Sequence, residues 1–285
     1  MKSNKILLAG ATGYLGKYIA GELIKQSYPT RIIARDRNKV NLDNELLETV
    51  EAQVTHIESL EGVMGGIDTV ISTIGITKQK DGLTYMDVDY QGNKNLLDEA
   101  RKYGVRKFIY VSSLNGENLT HLKIGEAKER FVGELKNSGL DYCIVRPNGF
   151  FSDMSEFLKM AQKGKAELFG DGNYRMNPIH GADLAEVCVK AINTHEKSIE
   201  VGGPETFTHN EMVELAFNTV HRPVKISYMP EWIRKTILWS ARTFSSSKKY
   251  GPMEFFFTVL SMDMLAPEYG EQKLSDFFKE MNSKT

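Results

Sequence analysis

Cysteine is scarce in this sequence, with only Cys143 and Cys188 among 285 residues. Both lie within apolar runs, and neither belongs to a spacing typical of metal ligands. This pattern argues against a disulfide-stapled domain and against a cysteine-based metal site. We therefore predict buried, reduced thiols, no bound metal and a cytoplasmic location.

Long hydrophobic runs are missing as well. The longest apolar segment, residues 253–262, contains Glu254 and is about half as long as the roughly 18 residues of a membrane span. The apolar stretch that follows Lys5 ends at Gly10 and is too short for the core of a signal peptide. We expect neither a membrane span nor a secretory leader.

The sequence also lacks an excess of charge of one sign. The chain has 36 Lys and Arg residues against 37 Asp and Glu residues, for a formal net charge of -1. Because no bulk electrostatic field favours polyanions, we expect no nucleic-acid partner. The composition is that of a globular protein, 41% hydrophobic and 26% charged, which is enough for a sizeable core.

In the first 150 residues, short apolar runs alternate with segments of helical periodicity. The runs predict strands at 5–9, 30–34, 68–73, 107–111 and 141–145. The segments between them predict helices at 14–26, 92–103 and 126–137. Continuous apolar strands separated by such helices are typical of a parallel sheet covered on both faces. We predict an α/β fold with a doubly wound parallel sheet in residues 1–150.

For residues 151–285 the sequence predicts a smaller, mostly helical region that is partly integrated with the core. This region would bind substrate or form a lid. We expect a helix at 152–163 and a hairpin at 166–178 about the turn Asp171-Gly172. Asp183 is suited to cap a further helix. Thr208 and Glu211 have the spacing of a capping box ahead of another.

A glycine-rich loop joins the first predicted strand to the first predicted helix. Its candidate cofactor-binding residues are Gly10, Thr12, Gly13, Tyr14, Leu15 and Gly16. Such a loop lets the backbone approach a pyrophosphate, whose charge then meets unpaired N–H groups and the positive end of the helix dipole. Because the loop opens a βαβ series, it predicts a dinucleotide site rather than a tight turn alone.

The end of the second predicted strand bears on the choice of dinucleotide. An acidic side chain there would bind the adenosine ribose, whereas a basic one would pair with a 2′-phosphate. Arg35 and Arg37 stand at this position, with Lys39 close behind, and they favour NADP. Asp36 is suited to the ribose contact, so NAD stays open, and a solvated charge run is a third reading.

Thr73 and Gly75 follow the strand predicted at 68–73. The cofactor ribose would lie at the carboxyl edge of an open α/β sheet, so both are candidate cofactor-binding residues. A strand end followed by a turn would leave the same pattern, and the two readings are compatible.

Several stretches resemble the short-chain dehydrogenase/reductase superfamily. They are GATGYLG at 10–16, VSS at 111–113, SGLDY at 138–142, VRP at 145–147, and residues 148–154 and 177–184. The sequence is most similar to the atypical, NmrA-like or NAD(P)H-binding branch, over roughly residues 5–220. The resemblance implies a Rossmann-like fold, a nicotinamide cofactor and an oxidoreductase activity. It also implies that Asn148 approaches the nicotinamide.

In that superfamily a Ser, a Tyr and a Lys share the hydride-transfer chemistry, with the Tyr four residues before the Lys. The resemblance makes Ser113 and Lys128 the candidate catalytic residues. Ile124 stands where the Tyr is expected, and isoleucine can neither donate nor accept a proton. Either the protein does not reduce ordinary carbonyls, or another group such as His121 handles the proton.

The last third of the chain is rich in aromatic residues interspersed with basic ones. The set comprises Trp232, Trp239, Phe244 and residues 255–257, with Arg234, Lys235, Arg242, Lys248 and Lys249. Three interpretations stay open: a lid over a large apolar substrate, a basic amphipathic helix on a membrane surface, or a cap that completes the core or a dimer interface.

These patterns together predict an NADP-dependent oxidoreductase that acts on an apolar carbonyl, quinone or enone. A non-catalytic NAD(P)-binding sensor, which couples cofactor occupancy to a protein partner, is the alternative. The missing Tyr separates the chain from ordinary reductases but does not decide between these two functions.

Overall fold

The computed structural model of the protein describes residues 4–40, 42–77, 79, 82–245 and 247–284. Within them the strands are β1 (Ile6–Ala9), β2 (Thr30–Ala34), β3 (Leu47–Glu51), β4 (Thr69–Ser72), β5 (Lys107–Val111), β6 (Asp141–Pro147), β7 (Ala166–Phe169), β8 (Arg175–Met176), β9 (Ser198–Val201), β10 (Phe207–Thr208) and β11 (Ile226–Met229). The helices are α1 (Tyr14–Lys25), α2 (Asn93–Lys102), α3 (Lys123–Lys136), α4 (Phe151–Gln162), α5 (Gly181–Lys190), α6 (His209–Thr219), α7 (Glu231–Phe244), α8 (Ser247–Val259) and α9 (Leu274–Ser283). None of these helices is long and apolar enough to cross a membrane.

Seven strands form a parallel sheet in the order β3-β2-β1-β4-β5-β6-β9. The predicted α/β fold with a doubly wound, Rossmann-like sheet is therefore confirmed. β1, β4 and β5 are buried along their whole lengths, which explains why their sequences are continuous apolar runs rather than alternating ones.

The core of the sheet follows from the alternation of side chains along each strand. Leu7 of β1 packs in one cluster with Leu97 of α2 and Phe131 of α3. Ile6 and Leu8 face the opposite side, because successive residues of a strand point to opposite faces. Since α1 contacts β1 and β2, both faces of the sheet have helical cover.

The chain divides into two compact units. The first consists of Met1–Arg146 and Leu184–Ile199, and the second of Pro147–Asp183 and Glu200–Thr285. The sequence places a boundary at residue 150, close to the first of these divisions. The sequence does not predict that the chain returns to the first unit at Leu184. Most of α5 therefore belongs to the first unit.

The hairpin predicted at 166–178 is wrong. β7 pairs in parallel with β11, and β8 pairs in antiparallel with β10. The turn itself exists, because Asp171 Oδ1 accepts a hydrogen bond from the Asn173 N–H and Gly172 has a φ of +74°. The strands that leave the turn pair with segments distant in sequence, which a local turn signal does not report.

Two predicted helix starts have different outcomes. Thr208 and Glu211 form the predicted capping box of α6. Asp183 instead lies inside the first turn of α5, where its Oδ2 accepts a hydrogen bond from the Gln272 N–H at 3.1 Å. Asp183 therefore joins two segments of the second unit rather than capping a helix.

Candidate functional site

The carboxyl ends of β1 and β4 form the topological switch point of the sheet. The two strands are neighbours, with Ala9 opposite Ser72. β2 and β3 extend the sheet on one side of this pair, and β5, β6 and β9 extend it on the other. In open α/β sheets a ligand crevice lies at this point, so Gly10 and Thr73, the next residues of each strand, flank it.

Gly10 makes the turn that leaves β1. Its φ of +97° lies in the region that favours glycine, and a side chain there would collide with Thr73. Thr73 donates hydrogen bonds to the Ala9 carbonyl from its N–H at 2.9 Å and from its Oγ1 at 3.2 Å. The structure thus brings the predicted residues Gly10 and Thr73 together beside the crevice.

Gly13 and Gly16 differ in what would prevent a larger residue from replacing them. A Cβ on Gly16 would collide with the backbone of Gly10, so this glycine lets α1 pack against the turn. A Cβ on Gly13 would meet the Gly10 carbonyl oxygen at 3.3 Å, and its φ of −77° suits any residue. Packing among the described residues does not require glycine at position 13. A pyrophosphate lying on the loop would require it, because a side chain there would block its approach to the backbone.

The N-terminus of α1 is open to a ligand. Gly13 provides no side-chain cap, and the first turn of the helix contains no acidic residue. Thr12 is exposed, Tyr14 is half-buried, and the side chain of Leu15 belongs to the core. The N–H groups that a helix leaves without intrahelical partners, together with its positive dipole end, suit an anion. The residues present therefore fit a dinucleotide pyrophosphate.

Arg35, Asp36 and Arg37 follow β2 at the same edge of the sheet. Arg35 is exposed, and its guanidinium makes no hydrogen bond or ion pair within the described part of the chain. Arg37 donates a hydrogen bond to the Thr49 carbonyl at 3.1 Å. Asp36 accepts one from the Asn38 N–H at 3.0 Å and caps a short 3-10 turn. Arg35 is thus available to an anionic ligand, while its two neighbours have local contacts.

Lys128 of α3 lies next to the segment that follows β4. Its Nζ is 3.0 Å from Oδ1 of Asp89, which is fully buried in a π-helix at Met86–Gly92. Asp89 Oδ2 accepts a hydrogen bond from the Ile76 N–H at 3.1 Å. A Cβ on Gly75 would lie 2.7 Å from Asp89 Oδ1 and 2.9 Å from Lys128 Nζ, so glycine leaves room for the ion pair. The structure thereby joins Gly75 and Lys128, which the sequence named separately.

Burial and charge set the protonation of this cluster. Burial raises the pKa of the Asp89 carboxyl above its usual value, and Lys128 opposes the shift. Burial alone would lower the pKa of the Lys128 ammonium, but Tyr110 and Asp89 outweigh it and raise that pKa. Tyr110 of β5 lies beside Lys128, with Nζ 5.7 Å from the ring centroid, and burial raises the pKa of its phenol to about 12. At physiological pH, Lys128 is a cation and Tyr110 is a neutral phenol.

A second buried ion pair supports the loop after β5. Arg146 Nη1 and Nη2 donate to the Glu129 carboxylate at 2.7 and 2.8 Å. Arg146 Nη1 also donates to the Ser113 carbonyl at 3.2 Å, and Ser112 Oγ donates to Glu129 at 3.2 Å. The pair therefore fixes the backbone that carries Ser113. Sequence reasoning missed it, because nothing local relates a helical Glu to an Arg on the next strand.

A family described as NAD(P)H-binding matches residues 10–195. The chain belongs to this family. It is 27% identical to divinyl chlorophyllide a 8-vinyl-reductase of Arabidopsis thaliana, over 98% of this chain and 77% of that protein. The resemblance to the atypical short-chain dehydrogenase/reductase, NAD(P)H-binding branch is confirmed, and with it an NAD(P)H-binding domain.

Solved structures share the fold. An NADPH-dependent quinone oxidoreductase from Escherichia coli, solved with NADPH, has a TM-score of 0.71 at 16% identity, over 97% of this chain and 99% of that one. UDP-glucose 4-epimerase of Thermus thermophilus, solved with NAD, has a TM-score of 0.64 at 17% identity, over 79% of this chain and 86% of that one. One neighbour binds NADPH and the other NAD, so the fold does not distinguish the two dinucleotides.

This member of the NAD(P)H-binding family has no proton donor at position 124. Ile124 lies in the first turn of α3 with 6% of its surface exposed. Tyr110, the phenol beside Lys128, is fully buried on β5. His121 is exposed, and its Nδ1 lies 3.2 Å from the Asn118 carbonyl oxygen.

Ser113, the other candidate catalytic residue, is half-buried after β5. Its Oγ makes no hydrogen bond within the residues that the structure describes. The hydroxyl is thus available to a substrate oxygen. No hydrogen bond joins Ser113 to Lys128 in this part of the chain, so their cooperation stays a prediction.

Asn148, expected near the nicotinamide, belongs to the second unit. Its side chain is buried, and Nδ2 donates to Asn177 Oδ1 at 2.7 Å and to the Met264 carbonyl at 2.6 Å. Its Oδ1 accepts a hydrogen bond from the Gly149 N–H at 2.7 Å. These bonds engage both amide hydrogens, so Asn148 joins segments of the second unit, and its cofactor role stays a prediction.

The second unit contains a cavity of about 60 Å³. Mostly apolar residues line it: Phe157, Met160, Glu167, Leu168, Phe169, His209, Phe256, Phe257 and Leu260. Pockets for drug-sized ligands measure roughly 300–1,000 Å³, so this one is a packing gap. Burial lowers the pKa of His209 to about 4, which leaves its imidazole neutral at physiological pH.

Among the residues that the structure describes, the two thiols and the acidic and imidazole groups form no further reactive or metal-binding centre. Cys143 and Cys188 are buried and free, and burial raises the pKa of the Cys143 thiol to about 11. Thiols of this kind are poor nucleophiles, because the thiolate is the reactive form. In the described ranges, no group of three or more His, Cys, Asp or Glu side chains could hold a metal ion.

Proposed function

We propose that the protein is an NADPH-dependent reductase of an apolar, conjugated acceptor, with a quinone or an enone favoured over a simple carbonyl compound. The observation that carries the proposal is Ile124, a buried isoleucine at the position where the superfamily has its phenol. A reaction that needs no proton donor at that place suits this chain best.

The chemistry of conjugated acceptors supplies the reason. When bound, the reduced nicotinamide supplies a hydride. A saturated ketone that accepts hydride becomes an alkoxide, a strong base that needs a proton at once from a positioned acid. An enone or a quinone becomes an enolate or a hydroquinone anion, whose charge is delocalised. Such an anion is a much weaker base and can take its proton from water.

Two side chains have definite tasks in this proposal. Lys128, held by Asp89 beside Gly75, would donate a hydrogen bond to the nicotinamide ribose from a fixed position. Ser113, with its Oγ available, would orient the substrate oxygen. Neither task transfers a proton to carbon or oxygen, which agrees with the raised pKa of Lys128.

The names of two of the similar proteins point in the same direction. The Arabidopsis relative is named as a vinyl-reductase, and a vinyl group is a carbon–carbon double bond. The Escherichia coli structure is named as an NADPH-dependent quinone oxidoreductase. Both names support an apolar acceptor rather than a sugar or an alcohol.

A panel of matched acceptors tests the proposal. We expect NADPH consumption, followed by absorbance, with cyclohexenone and a naphthoquinone, and at least about tenfold slower consumption with cyclohexanone and tetralone. Equal rates with cyclohexanone and tetralone, which have no enone or quinone to delocalise the charge, would mean that the protein has a proton donor after all. NADPH binding without consumption across the whole panel would favour the non-catalytic sensor.

NADP over NAD is the cofactor choice that we propose, and Arg35 is its determinant. A charge-assisted contact with the 2′-phosphate contributes about 1.5–3 kcal/mol, so Arg35→Ala should weaken NADPH binding by roughly ten- to a hundredfold and NADH binding little. Calorimetry with both dinucleotides measures the effect. Lys25→Ala, an exposed cation in the last turn of α1, is the charge-matched control and should change both affinities much less. Equal losses of NADPH and NADH in Arg35→Ala would make Asp36 the determinant.

A reducing, cytoplasmic setting is also part of this proposal. Both cysteines are buried free thiols, which is typical of proteins kept in reducing compartments. Treatment of the native protein with a thiol-blocking reagent should leave both cysteines unlabelled and the NADPH affinity unchanged.

A further inference from the structure

Both tryptophans of the chain are exposed on helix α7 of the second unit. Trp232 has 65% of its surface exposed, Trp239 has 63%, and Phe244 at the end of the helix has 79%. Large aromatic side chains are normally buried, and an exposed group of them marks an interaction surface. A single exposed aromatic residue would need no explanation, but three on one short helix do.

The exposed residues of α7 form an ordered surface. Trp232 and Trp239 are seven residues apart and so lie on one side of the helix, with Lys235 between them one turn from each. Arg242 continues the same side. The exposed residues of α7 are Trp232, Lys235, Thr236, Ile237, Trp239, Arg242, Thr243 and Phe244, and none of them is acidic. We call this set the α7 surface.

The hydroxyl groups on the α7 surface do not make it more polar. Thr236 Oγ1 donates a hydrogen bond to the Trp232 carbonyl, and Thr243 Oγ1 donates one to the Trp239 carbonyl, both at 2.8 Å. Each hydroxyl is therefore satisfied within the helix. A partner that offers no hydrogen bonds can cover these threonines without leaving a donor unpaired.

The rest of α7 holds the helix on the second unit. Leu238 is buried, and Arg242 Nε donates to the buried Glu254 of α8 at 2.6 Å. Arg234 Nε donates to Glu231 at 2.8 Å, so this charge is paired along the helix. Lys235 makes no ion pair within the described residues. The α7 surface thus presents the charge of Lys235 outward, while Arg242 is paired with Glu254 and anchors the helix.

We propose that the α7 surface binds the surface of a membrane that contains anionic lipids. Tryptophan prefers the water–bilayer interface, and an ammonium group beside it, here that of Lys235, pairs with lipid phosphates and carboxylates. With 14 residues, α7 is shorter than the roughly 20 that span a bilayer, so it would lie in the interface. A second copy of the chain fits less well, because a symmetric contact through the α7 surface would bury Lys235 with no acidic residue of that surface to pair with it.

The position of the tryptophans makes the test direct. All tryptophan fluorescence of the protein comes from α7, because the chain contains just Trp232 and Trp239. With phosphatidylcholine vesicles that contain phosphatidylserine, we expect a blue shift of the emission, quenching by brominated lipids and co-sedimentation of the protein. With vesicles of phosphatidylcholine alone, we expect binding weaker by on the order of tenfold or more.

Three variants separate the contributions. Trp232→Ser with Trp239→Ser should reduce co-sedimentation at least about tenfold, and Lys235→Glu should do so on the order of tenfold, with a smaller effect at high salt. Tyr103→Ser is the control, because Tyr103 is an aromatic residue of the first unit with 40% of its surface exposed. It should leave co-sedimentation unchanged. Circular dichroism checks that each variant is folded.

Several results would overturn the proposal. They are an unshifted emission with the anionic vesicles, equal binding to neutral vesicles, and unchanged binding by Lys235→Glu. A dimer in light scattering that Trp232→Ser with Trp239→Ser converts to a monomer, with no vesicle binding, would assign the α7 surface to self-association. Because the assay contains no NADPH and no acceptor, its outcome is independent of the proposed reductase activity.

Discussion

Replacement of Gly13 by valine should abolish NADPH binding and leave a folded protein. The backbone φ at Gly13 suits valine, and a Cβ there meets the Gly10 carbonyl oxygen at a tight but tolerable 3.3 Å. The valine methyl groups would occupy the space above the loop, where the pyrophosphate must approach the backbone. We expect a loss of affinity on the order of a hundredfold or more, measured by calorimetry.

Two other glycines of the same region make the Gly13 result interpretable. Gly21, in the middle of α1, has no atom within 4 Å of an added Cβ, so Gly21→Val should fold and bind NADPH normally. Gly16→Val should instead prevent correct folding, because its side chain would collide with the backbone of Gly10. Unchanged NADPH affinity in a folded Gly13→Val protein would show that the dinucleotide does not use this loop.

The sheet could be predicted from the sequence because its strands are buried on both faces. β2 and β5 have their predicted bounds, and β1, β4 and β6 differ by one or two residues at an end. A continuous apolar run between helices reports such burial directly. β3 gave no comparable signal, since its burial is partial along its length and its sequence is LETVE.

The glycine loop was predictable, but its three glycines were not distinguishable in sequence. Gly10 serves the turn, Gly16 serves packing, and Gly13 leaves space for a ligand. This division depends on distances between backbone atoms of different elements. Similarly, the sequence places Arg35, Asp36 and Arg37 together, but only the side-chain contacts show which of them is available.

The partner of Lys128 could not be predicted. Asp89 lies in a π-helix, which has no sequence signature comparable to an amphipathic stripe, and the predicted helix began only at residue 92. The ion pair also needs Gly75, from a third segment, to leave space for it. Sequence patterns report which elements form, whereas this cluster depends on where three elements meet.

Replacement of Lys128 by methionine should destabilise the protein by about 3–5 kcal/mol, because it leaves the Asp89 carboxylate buried without its cation. Chemical denaturation at neutral pH measures the loss. Asp89→Asn keeps the acceptor for the Ile76 N–H, so the double variant should be more stable than Lys128→Met alone. Lys94→Met, which removes the more exposed ion pair to Asp98 on α2, should cost less than about 0.5 kcal/mol.

The pH dependence of Lys128→Met carries the sharper test of the same pair. Burial already raises the pKa of Asp89, and Lys128 is the group that lowers it, so the variant should have a still higher Asp89 pKa. At pH values between the pKa of Asp89 in the unfolded chain and its raised pKa in the folded variant, the folded variant binds a proton at Asp89 that the unfolded chain does not. The free energy of unfolding of the variant should therefore increase as the pH falls through the raised Asp89 pKa towards the pKa of the unfolded chain. The double variant has no carboxyl at position 89 and should lack this increase. A Lys128→Met protein that became less stable over the same range, while the double variant behaved identically, would mean that Asp89 is not the charge that Lys128 neutralises.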